Sequence, residues 1–209
     1  MKNKYLVFLL FLTLGSHLTY AGDNSPTIVN TEIFKAGPYD MAYGLETAPI
    51  EVLEYYSLTC PHCAKFYEDI FPLLKKEYID SGKVKWIKRS FITDANALSG
   101  TMLLNCVDTS KKQSYLKILF SKQSNWAYQK DAVVILKNIA SLGGMSQQDF
   151  AKCMGNKMQE KTIINTSNQA KDILKVSGTP AFYINQNSVS IFSHKSFKEY
   201  LDKLLLEKK

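Results

Sequence analysis

The sequence predicts an α/β protein with a long all-helical segment set into the middle of a sheet-forming chain. Three observations carry this. Strand-like apolar runs, Ile50 to Tyr56 and Val84 to Ile92, precede residue 94, and two more, Ala181 to Ile184 and Ser188 to Phe192, follow residue 176. From Asp94 to Val176 there is no proline and no strand alternation, only helical periodicity. A Cys-x-x-Cys pair, Cys60-Pro61-His62-Cys63, stands where the first of those strands gives way to a helix.

A chain of 209 residues holds one large or two small domains, and 45% hydrophobic content is enough to fill a core. The net charge is +7, of which Lys2 and Lys4 supply two. The remaining lysines are dispersed and no RNA- or DNA-binding motif is present. The excess therefore reads as a solvated surface, and no nucleic-acid partner is expected. Residues 1–21 read as a signal peptide. Lys2 and Lys4 form the basic start, Tyr5 to Leu14 the apolar run, and Ala21 the small residue at the cleavage point. An uncleaved anchor is the alternative, but ten apolar residues are short for a bilayer. Mature protein would begin at Gly22 and leave the cytoplasm. In an oxidising compartment an even number of cysteines, here Cys60, Cys63, Cys106 and Cys153, favours pairing.

Taken in order, Asp23 to Pro26 is polar, and Thr27 to Phe34 reads as a short edge strand. Gly37-Pro38 and Gly44 mark loops, and Pro49 halts any helix ahead of the Ile50–Tyr56 strand. Period-two counting puts Glu54 on the same side as Val52 and Tyr56. An acid there is either exposed at an edge or a charge held under the cysteines, since burial without a partner is costly. Ala64 to Ile79 is a helix with Phe66, Tyr67, Ile70, Phe71, Leu74 and Tyr78 on its apolar face; Pro72 should kink it. In the next strand Lys88 shares a side with Val84 and Trp86. It either reaches solvent or faces Glu54 from the neighbouring strand.

The helical segment divides into Ala95–Thr109, Gln113–Lys122 and Asp131–Leu142, the last closed by Gly143-Gly144. A capping box at Ser146 to Asp149 opens a short helix ending near Cys153, and Asn156 to Lys175 forms a longer one. After Gly178-Thr179-Pro180, two strands joined by a turn at Asn185 to Asn187 make a hairpin. Ser196 with Glu199 caps a final helix that buries Phe197, Tyr200, Leu201, Leu204 and Leu205.

The Cys60–Cys63 pair suits thiol–disulfide exchange for a geometric reason. In a first helical turn, residues three apart share a face and come within disulfide range. Pro61 fits the first helical position, where its fixed φ matches and its missing N–H is not needed. Cys60 then lies where orphan N–H groups and the positive end of the helix dipole converge, so its thiolate is stabilised. The competing chemistry is half a zinc site, completed by Cys106, Cys153, His62 or His194. No second Cys-x-x-Cys supports it, and no metal is expected.

With Cys-Pro-His-Cys at a strand–helix junction and Gly-Thr-Pro before a late strand, the chain resembles the thioredoxin-fold proteins, and in particular the DsbA-like thiol:disulfide oxidoreductases. The resemblance covers about Pro49 to the C-terminus. It implies that residues 22–93 and 177–209 form the two parts of a thioredoxin fold around a helical insertion, 94–176. It implies Cys60 as exposed nucleophile, Cys63 as buried resolving partner, Pro61 within the motif and His62 as an aid to the thiolate. Pro180 becomes a cis-proline facing the disulfide, with the Thr179 backbone contacting substrate. Glu54 and Lys88 match a buried acid and its partner near the disulfide. Cys106 and Cys153 match a structural disulfide of some relatives; buried free thiols are the alternative.

The function implied is donation of the Cys60–Cys63 disulfide to reduced secreted polypeptides, with no other cofactor. Reoxidation would fall to a membrane enzyme of DsbB or VKOR type, and the location would be the periplasm. Thr179, where the best-known oxidase has an aliphatic residue, keeps a disulfide isomerase or chaperone as the rival. Gly22 to Ala48 is too short for the dimerisation domain of known dimeric isomerases, so a monomer is expected.

Overall fold

The computed structural model describes residues 31–207. The signal-peptide reading of residues 1–21 lies outside them, as do residues 27–30 of the first expected strand. Five strands form one mixed sheet in the order β1-β3-β2-β4-β5: β1 Met41–Tyr43, β2 Ile50–Tyr56, β3 Val84–Ser90, β4 Ala181–Ile184 and β5 Asn187–Val189. β2 and β3 are parallel and the other pairings antiparallel. A parallel pair needs a crossover, and the helical run of residues 61–79 supplies it. Within that run, π-helical turns at Phe66–Ile70 and Lys75–Ile79 follow the α segments Pro61–Lys65 and Phe71–Leu74. The wider first π turn answers Pro72, which has no N–H to donate and whose ring crowds the carbonyl four residues back.

Both sheet faces are covered, which is why β2 is buried almost throughout. On one face Val52, Trp86 and Phe182 pack against Phe66 and Phe71 of the crossover and against Phe197 and Leu201 of the last helix, His194–Glu207. On the other, Leu53, Tyr55, Ile87 and Tyr183 lie under Phe34, Ala170 and Val176.

Between β3 and β4 the regular elements are all helices: Ala95–Cys106, Thr109–Ser121, Gln123–Trp126, Ala132–Leu142, Gln147–Met154 and Lys157–Asp172. Side-chain oxygens of Asp94, Ser146 and Asn156 accept backbone N–H groups three residues on, each satisfying an orphan donor. The apolar interior of this segment is continuous with the sheet core. Phe120 touches Tyr67 and Tyr56, with ring centroids 5.1 and 5.9 Å apart. Gly100 makes a further seam, because a Cβ there would lie 2.7 Å from the Trp126 ring and 3.1 Å from the Leu58 side chain. Only a glycine lets the helix Ala95–Cys106 approach this closely.

Several boundaries differ from those read in the sequence. Thr31–Phe34 is a 3₁₀ turn, not the end of an edge strand; the edge is β1. The buried Arg89 side chain causes this, since it takes the Ile33 and Lys35 carbonyls and pairs with Asp40 at 2.7 Å, leaving those carbonyls no role in a ladder. β3 stops at Ser90. β5 stops at Val189 rather than Phe192, because its partner in the ladder runs out at Ala181 and then Pro180, which has no N–H. The extended Val107 ends the helix Ala95–Cys106 early, and Thr109 begins the next one sooner than expected. The last helix is capped by Ser193 rather than Ser196: the Ser193 hydroxyl accepts from the Ser196 N–H, and the Ser196 hydroxyl from the Ser193 N–H.

Cys106 and Cys153 are joined by a disulfide with Cα atoms 5.9 Å apart at a sequence separation of 47. It ties the end of one helix to another across the helical segment. Closing a loop of this length restricts the unfolded chain, so replacing both cysteines by alanine should lower unfolding free energy by about 2–4 kcal/mol. Denaturant unfolding of native and double-alanine proteins checks this; equal midpoints would contradict it.

Candidate functional site

β2 ends at Tyr56, and the four residues Ser57 to Cys60 carry the chain across the sheet edge into the crossover. Cys60 is the residue before the helix. Its backbone is extended, at φ −84° and ψ 119°, and its carbonyl accepts the N–H groups of Cys63 and Ala64 at 3.1 and 3.2 Å. Pro61 takes the first helical position. The Cys60 sulfur is half-buried, while Cys63 is buried completely. The cis Thr179–Pro180 bond lies against them, and the Cys60 thiol donates to the Thr179 carbonyl at 3.1 Å.

The two sulfurs differ sharply in acidity. The Cys63 thiol donates to Cys60, and with the Thr179 side-chain hydroxyl and the backbone N–H groups of Cys63 and His62 this brings the Cys60 pKa down from 9.0 to about 5, against the opposing effect of burial. Burial pushes Cys63 the other way, and the neighbouring Cys60 anion adds to that rise. One sulfur is therefore an anion at neutral pH and the other keeps its proton. His62 is exposed, and it reaches the Cys60 sulfur through its backbone N–H.

Beside the sulfurs is a groove of about 620 Å³ whose walls include His62, Phe66, Ile70, Thr179, Pro180 and Phe192. Phe192, read in the sequence as the end of a strand, is 59% exposed and forms part of this wall.

Glu54 and Lys88 face each other directly in the β2–β3 register and are both buried, at 1% exposure. They form an ion pair, and the Trp86 indole N–H donates to the same carboxylate oxygen at 2.8 Å. The Lys88 ammonium sits 4.0 Å from the centroid of the Phe71 ring. Burial pulls its pKa down, while Glu54, and more weakly Cys63, pull it up. The pair thus lies within electrostatic reach of the resolving sulfur. Cys106 and Cys153 are bound to each other, and His194 sits 3.3 Å from Glu77, so these residues are not gathered around Cys60.

Two residues near the site carried no signal in the sequence. The Gln123 side chain, from the helix Gln123–Trp126, donates to the Leu58 and Cys60 carbonyls at 2.8 and 3.0 Å. The Tyr128 hydroxyl donates to the Thr59 carbonyl at 3.0 Å. Each looks like an ordinary polar or aromatic residue at a helix end; only the fold brings them to the motif.

Comparison with known proteins agrees with this geometry. The family model described as Thioredoxin matches residues 36–203. A Rickettsia felis protein named "Putative protein-disulfide oxidoreductase" is 33% identical over 177 residues, covering 84% of this chain and 64% of its own. A Rickettsia typhi protein of similar name is 31% identical over 185 residues, covering 88% of this chain and 68% of its own. The chain therefore spans about two thirds of these relatives. Among solved structures, alpha-DsbA1 of Wolbachia pipientis superposes with a TM-score of 0.76 at 29% identity, covering 86% of this chain and 99% of that one.

Two predictions follow from the site. Thiolate absorbance of the reduced protein should titrate with a midpoint near pH 5, assigned to Cys60 by its loss in Cys60→Ser. Because the folded value lies below the unfolded one, the thiolate's contribution to the stability of the reduced protein is fully present above about pH 9 and is lost as pH falls through about 5. Separately, Lys88→Met should destabilise the protein by about 3–5 kcal/mol, because it strands a buried carboxylate. Chemical denaturation measures the loss, and a change below about 1 kcal/mol would mean the pair is not buried as described.

Proposed function

The chain belongs to the DsbA-like branch of the thioredoxin family, and from that membership we propose that it is an exported thiol:disulfide oxidoreductase that donates the Cys60–Cys63 disulfide to reduced secreted polypeptides. The observation that carries this reading is the division of labour between the sulfurs. Cys60 is accessible and acidic; Cys63 is buried and held protonated. In the oxidised protein a client thiolate attacks the Cys60 sulfur. The S–S bond breaks and Cys63 leaves as a thiolate that takes up a proton. A second client thiolate then attacks the client sulfur of the mixed disulfide, and Cys60 leaves as a stable anion. The client loses two thiols and gains a disulfide, while the protein gains the two electrons. A low Cys60 pKa favours both the last step and the reduced product, which makes the disulfide oxidising.

The cis Thr179–Pro180 loop presents backbone to an extended peptide, and the groove beside it offers a largely apolar surface, with the charged Lys65 in its lining. Both suit a protein acting on many unfolded or partly folded clients. The two electrons would pass on to a membrane enzyme of DsbB or VKOR type, and residues 1–21 would direct export to the periplasm. No cofactor beyond the disulfide is required. Disulfide isomerisation is the second reading, favoured by Thr179 in the position before Pro180.

Refolding of ribonuclease separates the two. A dedicated oxidase should accelerate recovery from the reduced enzyme and leave the scrambled enzyme nearly inactive. Faster recovery from scrambled ribonuclease would assign the isomerase role instead.

A further inference from the structure

The three carbonyls just upstream of Pro61 are all held from the helical segment. Gln123 donates one amide group to the Leu58 carbonyl at 2.8 Å and to the Cys60 carbonyl at 3.0 Å. Tyr128 donates to the Thr59 carbonyl lying between them, at 3.0 Å, and its oxygen is 3.4 Å from the Gln123 carboxamide oxygen. Gln123 is 6% exposed, so water does not replace these bonds if they are lost. Tyr128 is 58% exposed, yet its hydroxyl is fixed, and its ionisation is opposed first by desolvation of the hydroxyl and then by the Cys60 charge.

The Cys60 carbonyl is the pivot. It accepts from Cys63 and Ala64 as the first helical acceptor and from Gln123 as well. These bonds orient the peptide that opens the helix, and with it the His62 and Cys63 N–H groups that stabilise the Cys60 sulfur. A donor on that carbonyl also offsets negative charge lying within the same residue as the thiolate. A buried amide from a distant part of the chain is thus attached to the group whose orientation sets the acidity of the nucleophile.

We infer that Gln123, braced by Tyr128, is a positioning residue for Cys60: it couples the seating of the helical segment to the acidity of the nucleophile. This rests on the oxidoreductase reading above and names the residue through which the helical segment acts on the same site. The helical segment is then more than a cover over the sulfurs. A displacement that strains the Gln123 bonds makes the thiolate less stable and the disulfide less oxidising.

The test compares Gln123→Met, which keeps bulk without a donor, with Gln123→Glu, which sets an acceptor against two carbonyls. Tyr128→Phe removes only the hydroxyl of an exposed side chain and serves if the buried variants do not fold. Folding is checked by circular dichroism, Cys60 acidity by thiolate absorbance, and redox balance by equilibration with glutathione. Gln123→Met should raise the Cys60 midpoint by about half a unit, equivalent to about a threefold shift toward the oxidised form in glutathione. Gln123→Glu should raise it further, increasingly so as its carboxylate ionises, and Tyr128→Phe should raise it less. A merely structural role would cost stability without this ordering. Folded Gln123 variants that titrate like native protein would overturn the inference, as would an unchanged Tyr128→Phe where the others do not fold. Native protein that titrates as an ordinary cysteine, near pH 8.5 or so, would bring down the oxidoreductase reading, and this inference with it.

Discussion

Backbone N–H groups in the first turn of a helix lack the carbonyl four residues back that the rest of the helix bonds, and here they also meet a sulfur. The rest of the site is arranged around that meeting. Cys60 has to lie just before the first turn, and Pro61 fixes the entry angle while withholding a donor that would have no use. Cys63 has to be one turn further on, close enough to donate to the anion and buried enough to keep its own proton. The cis Thr179–Pro180 loop leaves the front sulfur half-covered rather than sealed. Each feature is ordinary alone. Together they place an anion and a neutral thiol side by side in one short motif.

Beneath the motif, the sheet adds a second electrostatic layer. Parallel pairing of β2 with β3 sets Glu54 opposite Lys88, and the covering rings and the Trp86 N–H leave neither group free to reach water. Removing one partner would expose the full desolvation cost of the other, which ties sheet integrity to the chemistry above it. Burial lowers the basicity of Lys88 while Glu54 holds its charge, and the pair lies within electrostatic reach of Cys63.

Much of this was legible in the sequence because it is local or periodic. The Cys-Pro-His-Cys motif, the β2 run and the helical stretch before Val176 announce themselves through spacing; period-two counting leaves Glu54 and Lys88 open between solvent and each other, and the family resemblance points to the pairing they make. What was not legible depends on partners far away in sequence. Arg89 captures carbonyls that would otherwise extend a strand at residues 31–34, and Pro180 cuts short the strand opposite it. Phe192 leaves the hairpin and turns to the groove for the same reason. Gln123 and Tyr128 are invisible to pattern reading, since a glutamine just past a helix end and an exposed tyrosine have no special composition. Even the serine cap of the last helix moved by three residues, because Ser193 and Ser196 both carry a suitable hydroxyl and only the backbone path chooses between them.

Position 100 shows how far the influence of the site extends. The missing side chain there lets one helix settle against Trp126 and against Leu58, two residues before the nucleophile. Trp126 belongs to the same short helix as Gln123. A methyl group added at this point would push on both in a single step. Residue 100 is therefore confined by packing two residues away from the nucleophile, and a larger side chain fits there only if the tryptophan and the loop it supports are rebuilt as well.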